Sequence, residues 1–356
     1  MQMRVPYNIS RIAIAGLLAA ATLWMCALIA GASNPQGNSL YHLEKKVKLG
    51  GSGFWDYLAI DTGARHVFIT NNKRLLIIDA DTGGIVGEIT DSKIEGVHGV
   101  AVVEDLGKGF TSNGISNTAT IFDLKTLKPT ATVTTGKHPD AIIYDPSSHL
   151  VFTFNAESDD ATAIEAKTGT VATTISLGGK PEFAASDGVG GVFVNLEDKN
   201  EVVAIDSRLL KLVSRWPTAP CDEPAGMAID AKHSRLFIGC HNKMMAVMDS
   251  KTGRIVATPP IGARVDANRF DPGTNLAFSS NGDGTLTVIH EDLPDKYTVL
   301  ENVETEIGAR TLEVDPKTHK IYLVTSDLTP TPPTADNPHP YPTVVPDTMR
   351  LLIYAK

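Results

Sequence analysis

The sequence predicts an all-β fold, a seven-bladed β-propeller of four-stranded antiparallel blades whose ring is closed by an N-terminal strand completing the last blade. Three observations carry this reading. A short apolar strand ending in an acid recurs as "YLAID", "AIIYD", "FAASD", "GMAID", "NRFD" and "TLEVD", closing on Asp61, Asp145, Asp187, Asp230, Asp271 and Asp315. Val103, followed by Glu104 and Asp105, fills the same column in a further repeat, so that successive positions lie 41 to 44 residues apart. That period is the length of a propeller blade. Finally, the chain shows branched and aromatic residues alternating between Gly, Asp, Asn and Pro turns, with no helical periodicity beyond its first segment.

Taken in order, that first segment stands apart. Arg4 and Arg11 precede the apolar run "IAIAGLLAAATLWMCALIAGA" (12–32), which ends small-x-small and gives way to the polar "SNPQGNS". It reads as a secretory signal over 1–32, with an uncleaved membrane anchor as the alternative. Next, "YHLEKKVKL" (41–49) precedes the first repeat and supplies a strand with no blade of its own. Six full units follow between about 51 and 307, each with an inner strand, a turn, and a second strand such as "HVFIT" or "LVFTF". An Asn-rich loop, a third strand and a "KTG"-type turn lead to the fourth. The seventh unit has "TLEVD", "KIYLVT" and "LLIYAK" and then stops one strand short. The 41–49 strand fills that gap, which removes the exposed edges of an open array. The domain therefore covers 33–356. Blade seven also carries a Pro-rich insertion, "SDLTPTPPTADNPHPYPTVVPDT" (326–348), in the loop between its second and third strands, with His339 and Tyr341 as its expected contact residues.

"NKRLLIIDADTGGIVGEI" and "NKMMAVMDSKTGRIVATPPIG" carry the repeat best. On these residues the chain resembles the YVTN-repeat, YncE-like propellers exported by bacteria, and the likeness runs over essentially the whole exported part. The resemblance implies the propeller fold and an exported location, periplasmic or secreted. It implies no particular activity, since propellers host binding, scaffolding and several kinds of catalysis.

Composition narrows the partners. The whole chain has a formal charge of −9, which becomes −11 once Arg4 and Arg11 leave with the signal. So acidic a body without a Lys/Arg stripe excludes a general nucleic-acid binder. A small polar molecule or an envelope protein is the partner class, with membrane contact only through an uncleaved N-terminal segment, and the chain reads as a monomer. Cys221 and Cys240 are the two cysteines left after export, and an even number in an oxidising compartment points to a disulfide.

The repeat also sorts the titratable residues. Five places before each terminal-acid column stand Asp56, His98, Asp140, Glu182, Ala225, Asp266 and Arg310, one per blade, where the inner strands enter the channel. Four carboxylates, a histidine and an arginine converging on one mouth need a cation, protons or an internal counter-charge. Arg310 is the internal candidate, paired with Asp266 or Asp56. A divalent cation such as calcium or zinc is the external one. No calcium-loop or HExxH spacing accompanies them. Asn113, Asn155 and His241, on loops of the same face, are expected to add amide and imidazole contacts to a bound ligand. The alternative is a lyase- or hydrolase-type enzyme with His98 as general base and Arg310 steadying an anionic intermediate. No Ser-His-Asp order and no phosphate-binding glycine loop is present.

Overall fold

The computed structural model describes residues 39–332 and 342–356, so the signal-type segment 1–32 and the contact residues His339 and Tyr341 lie outside it. The described chain forms seven four-stranded antiparallel sheets. Blades 1 to 6 are consecutive, their strands lying within 55–89, 97–134, 139–176, 181–217, 224–257 and 265–304. In blade 7, Leu312–Val314, Ile321–Thr325 and Arg350–Ala355 are joined by His42–Lys48, which pairs antiparallel with Arg350–Ala355. Each inner strand packs on the next, and Leu312–Val314 packs on Trp55–Asp61, which completes a circle.

Each blade buries one aromatic at the second or third residue of its second strand. Phe68, Phe110, Phe152, Phe193, Phe237, Phe278 and Tyr322 fill this column and are all buried. A side chain of this size covers 150 Å² or more, roughly 4 kcal/mol of transfer free energy at 25 cal/mol per Å². Phe68 reaches Phe122 and Phe237 reaches Phe270 of the following blade, so the column contributes to adhesion between blades.

The loop asparagines have a different task from the one expected. Asn113 donates its amide to Thr118 (3.1 Å) and Thr120 (2.9 Å) and accepts from Thr111 (2.9 Å). Asn155 repeats this with Asp160, Thr162 and Thr153, and Asn281 with Thr285, Thr287 and Ser279. All three are fully buried. Each staples the second strand to the third inside its own blade. Asn113 and Asn155 are thus spent on the fold and offer no free amide to a ligand.

The insertion in blade 7 begins and ends as a short ladder, Leu328–Thr329 against Thr343–Val344. Leu328 lies so close to Gly308 that a Cβ there would meet its Cδ1 at 2.9 Å. The root of the insertion is therefore fixed beside the loop that delivers Arg310.

Candidate functional site

The predicted ring forms because the inner strands of blades 1 to 6 are interrupted at the same place, while Arg310 sits just ahead of the short inner strand of blade 7. In blades 1 to 5 the pairing of first and second strands breaks between Trp55 and Leu58, Val97 and Val100, Pro139 and Ile142, Pro181 and Ala184, and Pro224 and Met227. Blade 6 shifts register between Val265 and Ala267. Asp56, His98, Asp140, Glu182, Ala225 and Asp266 all sit inside these bulges, which re-aim a side chain out of the pleat. The unpaired carbonyls are held by the neighbouring blade: Ser112 donates to the Asp140 carbonyl, Asn195 to that of Ala225 (2.7 Å), and Ser280 to that of Arg310. Polar residues near the end of one blade's second strand thus set the ring position of the next.

Around the mouth, His98 Nδ1 lies 2.7 Å from Asp56 Oδ2 and 3.6 Å from Asp140 Oδ1. Arg310 Nε donates to Asp266 Oδ2 at 2.8 Å. Glu182 faces Lys180 at 3.6 Å, and Lys180 also pairs with Glu197. In the middle stands Tyr57, a buried phenol whose hydroxyl reaches the Glu182 carbonyl at 3.4 Å. Its ring meets Phe183 at 4.8 Å between centroids, and Arg269 lies over Phe183 at 5.3 Å. Against this aromatic layer the inner strands line a partly open cavity of about 270 Å³, with Tyr57, Phe183, Met227, Arg269 and Phe270 among its walls. The site is a charged cup with an aromatic floor.

Burial and crowding set the charge states. Burial pushes the Asp140 carboxyl up to about 7, with His98 opposing and Asp56 and Asp266 adding to the rise. Burial likewise raises Glu182 well above the usual range, reinforced by Asp140 and Glu197, and raises Asp266 against the pull of Arg310. Tyr57 is raised too, by burial and then by the charges of Asp140, Glu182, Asp56 and Asp266. Burial works against a charged His98, but the hydrogen bond to Asp56 and the charges of Asp140 and Asp56 outweigh it and hold the imidazole up at about 9. His98 is consequently an imidazolium at neutral pH and unsuited to the role of general base. Its Nδ1 proton, bonded to Asp56, provides the counter-charge for which a metal was the alternative. One ligand atom each from Asp56, His98 and Asp140 lies within 4.8 Å of the others, so a metal could enter this cluster only by displacing that proton.

His241 belongs to the rim rather than the ring. It pairs with Glu223 at 2.9 Å, and its charge is felt at Asp266. Cys221 and Cys240 are disulfide-bonded, with Cα atoms 5.4 Å apart, which ties the Glu223 loop to the loop carrying His241. Tyr57, Lys180, Glu197 and His138 were not among the expected site residues. The His138 ring lies tilted against that of His98 at 5.0 Å between centroids, and both His138 and Lys180 occupy a second column, two residues before the ring. That row reads Phe54, Gly96, His138, Lys180, Glu223, Arg264 and Gly308. Five of its members, Gly96, His138, Glu223, Arg264 and Gly308, have positive φ, marking it as the turn into each inner strand. The repeat period contains this signal, two residues ahead of the ring row.

No protein-family model matches the chain, and no curated protein matches it. Among solved structures it is similar to Kuenenia stuttgartiensis hydrazine synthase, with a TM-score of 0.67 and 14% identity, over 79% of this chain and 94% of that one. At that identity the likeness concerns the fold: this chain is a seven-bladed β-propeller, an architecture suited to binding.

Proposed function

We propose that this protein is an exported propeller that binds a small polar ligand bearing a positive charge at the acidic mouth of its channel. One observation carries the reading. Four carboxylates, Asp56, Asp140, Glu182 and Asp266, are gathered round the Tyr57 hydroxyl, with Glu197 behind Glu182, against three cationic side chains, His98, Lys180 and Arg310. Burial raises the carboxyls of Asp140, Glu182 and Asp266, so a positive charge entering the cup would favour their ionised forms and be held by them. The aromatic floor of Tyr57 and Phe183 is the surface an ammonium group favours. Export is supported by the sequence of 1–32 and by the Cys221–Cys240 bridge, which persists in oxidising compartments. The YVTN-type repeat points the same way. An enzyme of the lyase or hydrolase type gains less support, since His98 is cationic and Arg310 is engaged by Asp266.

The test is a thermal-shift series on the purified chain, using small primary and quaternary amines beside uncharged analogues of matched size. Cationic members are expected to stabilise the protein, and Asp140→Asn or Asp266→Asn to abolish the effect, while Asp206→Asn on the opposite face leaves it intact. Equal stabilisation by the neutral analogues, or a shift that survives both mouth variants, would overturn the reading.

A further inference from the structure

On the face opposite the mouth, three of the acids that end inner strands are met by a donor from the following blade, while Asp61 and Asp187 accept from amides of their own turns. Asp145 of blade 3 accepts from Ser186 (2.6 Å) and Ser207 (2.7 Å) of blade 4. Asp271 of blade 6 pairs with His319 of blade 7 (2.7 Å), and Asp315 of blade 7 with Arg65 of blade 1 (2.5 Å). The junction of blades 5 and 6 is built differently. There Asp230 meets Glu291, which occupies the register position of Ser207, one past the residue that pairs with the start of the second strand. The same position holds Ala80, Leu124, Ala166 and Ser250 in blades 1, 2, 3 and 5, so blade 6 alone among these puts an acid there.

This acid-on-acid contact is closed from solvent. The Asp230 and Glu291 side chains are 4% and 2% exposed. Asp230 Oδ1 accepts the Lys232 amide of its own turn, which leaves Oδ2 directed inward. Asp230 Oδ2, Glu291 Oε2 and His233 Nδ1 are all buried with no donor or acceptor properly aligned on them. His233 Nδ1 lies 2.6 Å from Asp230 Oδ2 and 3.5 Å from Glu291 Oε1. Tyr297 is 3.4 Å from Glu291, but its one hydroxyl proton is committed to the Pro294 carbonyl at 2.5 Å. Arg235, two residues beyond His233, is spent on Asp249 and Asp295.

We propose that Asp230, His233 and Glu291 form a divalent-metal site that clamps blade 5 to blade 6, with zinc as the best-fitting ion. One ligand atom from each residue lies within 4.8 Å of the other two. Two carboxylate oxygens and one imidazole nitrogen are a donor set for a borderline cation. In a tetrahedral site with bonds of about 2.0–2.2 Å, neighbouring ligand atoms stand roughly 3.3 Å apart. The 3.5 Å pair already fits, and the 2.6 Å pair opens by about 0.7 Å. With three protein ligands, water takes the fourth position. Its place between blades, away from the mouth, makes the ion a brace for the ring.

The experiment compares chelator-treated protein with and without added zinc, manganese or calcium, by metal analysis after desalting and by thermal melts. One equivalent of zinc is expected to be retained, with an upward shift in Tm. Glu291→Gln and His233→Ala should each lower retention at least tenfold and remove the shift, whereas Asp140→Asn at the mouth should keep both. Three results would overturn the proposal: no retained metal in the unaltered chain, retention lost in Asp140→Asn but kept in Glu291→Gln, or a Glu291→Gln chain that melts higher than the parent with no metal response. The last would assign the junction to a shared proton instead.

Discussion

At the scale of single residues, the mouth owes its character to carboxyls that cannot all ionise and to one imidazole that stays charged. Both effects run in the same direction with pH. Asp140 is raised from 3.8 to about 7, so the folded chain holds this proton more tightly than the unfolded one, and folding loses stability as pH climbs between those values. His98 is raised from 6.5 to about 9, so its contribution is complete below pH 6.5 and disappears as pH rises through 9. Thermal melts from pH 5 to pH 9 should therefore show Tm falling throughout. Asp140→Asn should flatten the part below pH 7 and also shrink the alkaline part, because the Asp140 charge helps hold His98 up. A Tm that rises between pH 5 and pH 7 would contradict the assignment. A bound cationic ligand should behave oppositely, its affinity growing as Asp140 loses its proton.

At the scale of the element, the bulge is the device that turns an ordinary inner strand into a site. Its geometry depends on a residue of the preceding blade. Ser112 accepts the Gly99 amide at 2.8 Å and donates to the Asp140 carbonyl, joining blades 2 and 3 at the ring. Ser112→Ala leaves a buried carbonyl and a buried amide without partners, which costs about 1–3 kcal/mol for an unsatisfied buried group. Urea unfolding measures that loss. The same variant should weaken amine-induced stabilisation although Ser112 touches no ligand, which an independent structural role would not do. The terminal-acid column was legible as a repeat, but its meaning was not. Asp145, Asp271 and Asp315 turn out to be inter-blade fasteners whose partners, Ser207, His319 and Arg65, lie 62, 48 and 250 residues away.

At the scale of the whole molecule, a ring distributes its stability over seven similar interfaces, and local braces then matter at the weakest. The Cys221–Cys240 bridge closes a loop with a sequence separation of 19, which is worth roughly 3 kcal/mol through the unfolded state. Replacing both cysteines with serine should lower the unfolding free energy by about 3 kcal/mol and so move the urea midpoint down. An unchanged midpoint would show the reduced chain to be pre-ordered there. The likeness to a propeller of only 14% identity is consistent with a scaffold fixed by repeated adhesion rather than by particular contacts.

The sequence by itself determined the period, the seven blades, the strand order and the row from Asp56 to Arg310, because each is a local pattern repeated often enough to read. Only the tertiary structure decided what those residues do. It consumed Asn113 and Asn155 in strand staples, brought Tyr57, Lys180 and Glu197 into the cup, and set Asp230 against Glu291. The physical reason is that burial and opposite-blade neighbours fix charge and hydrogen-bonding, and both arise from contacts across the ring that no stretch of chain contains.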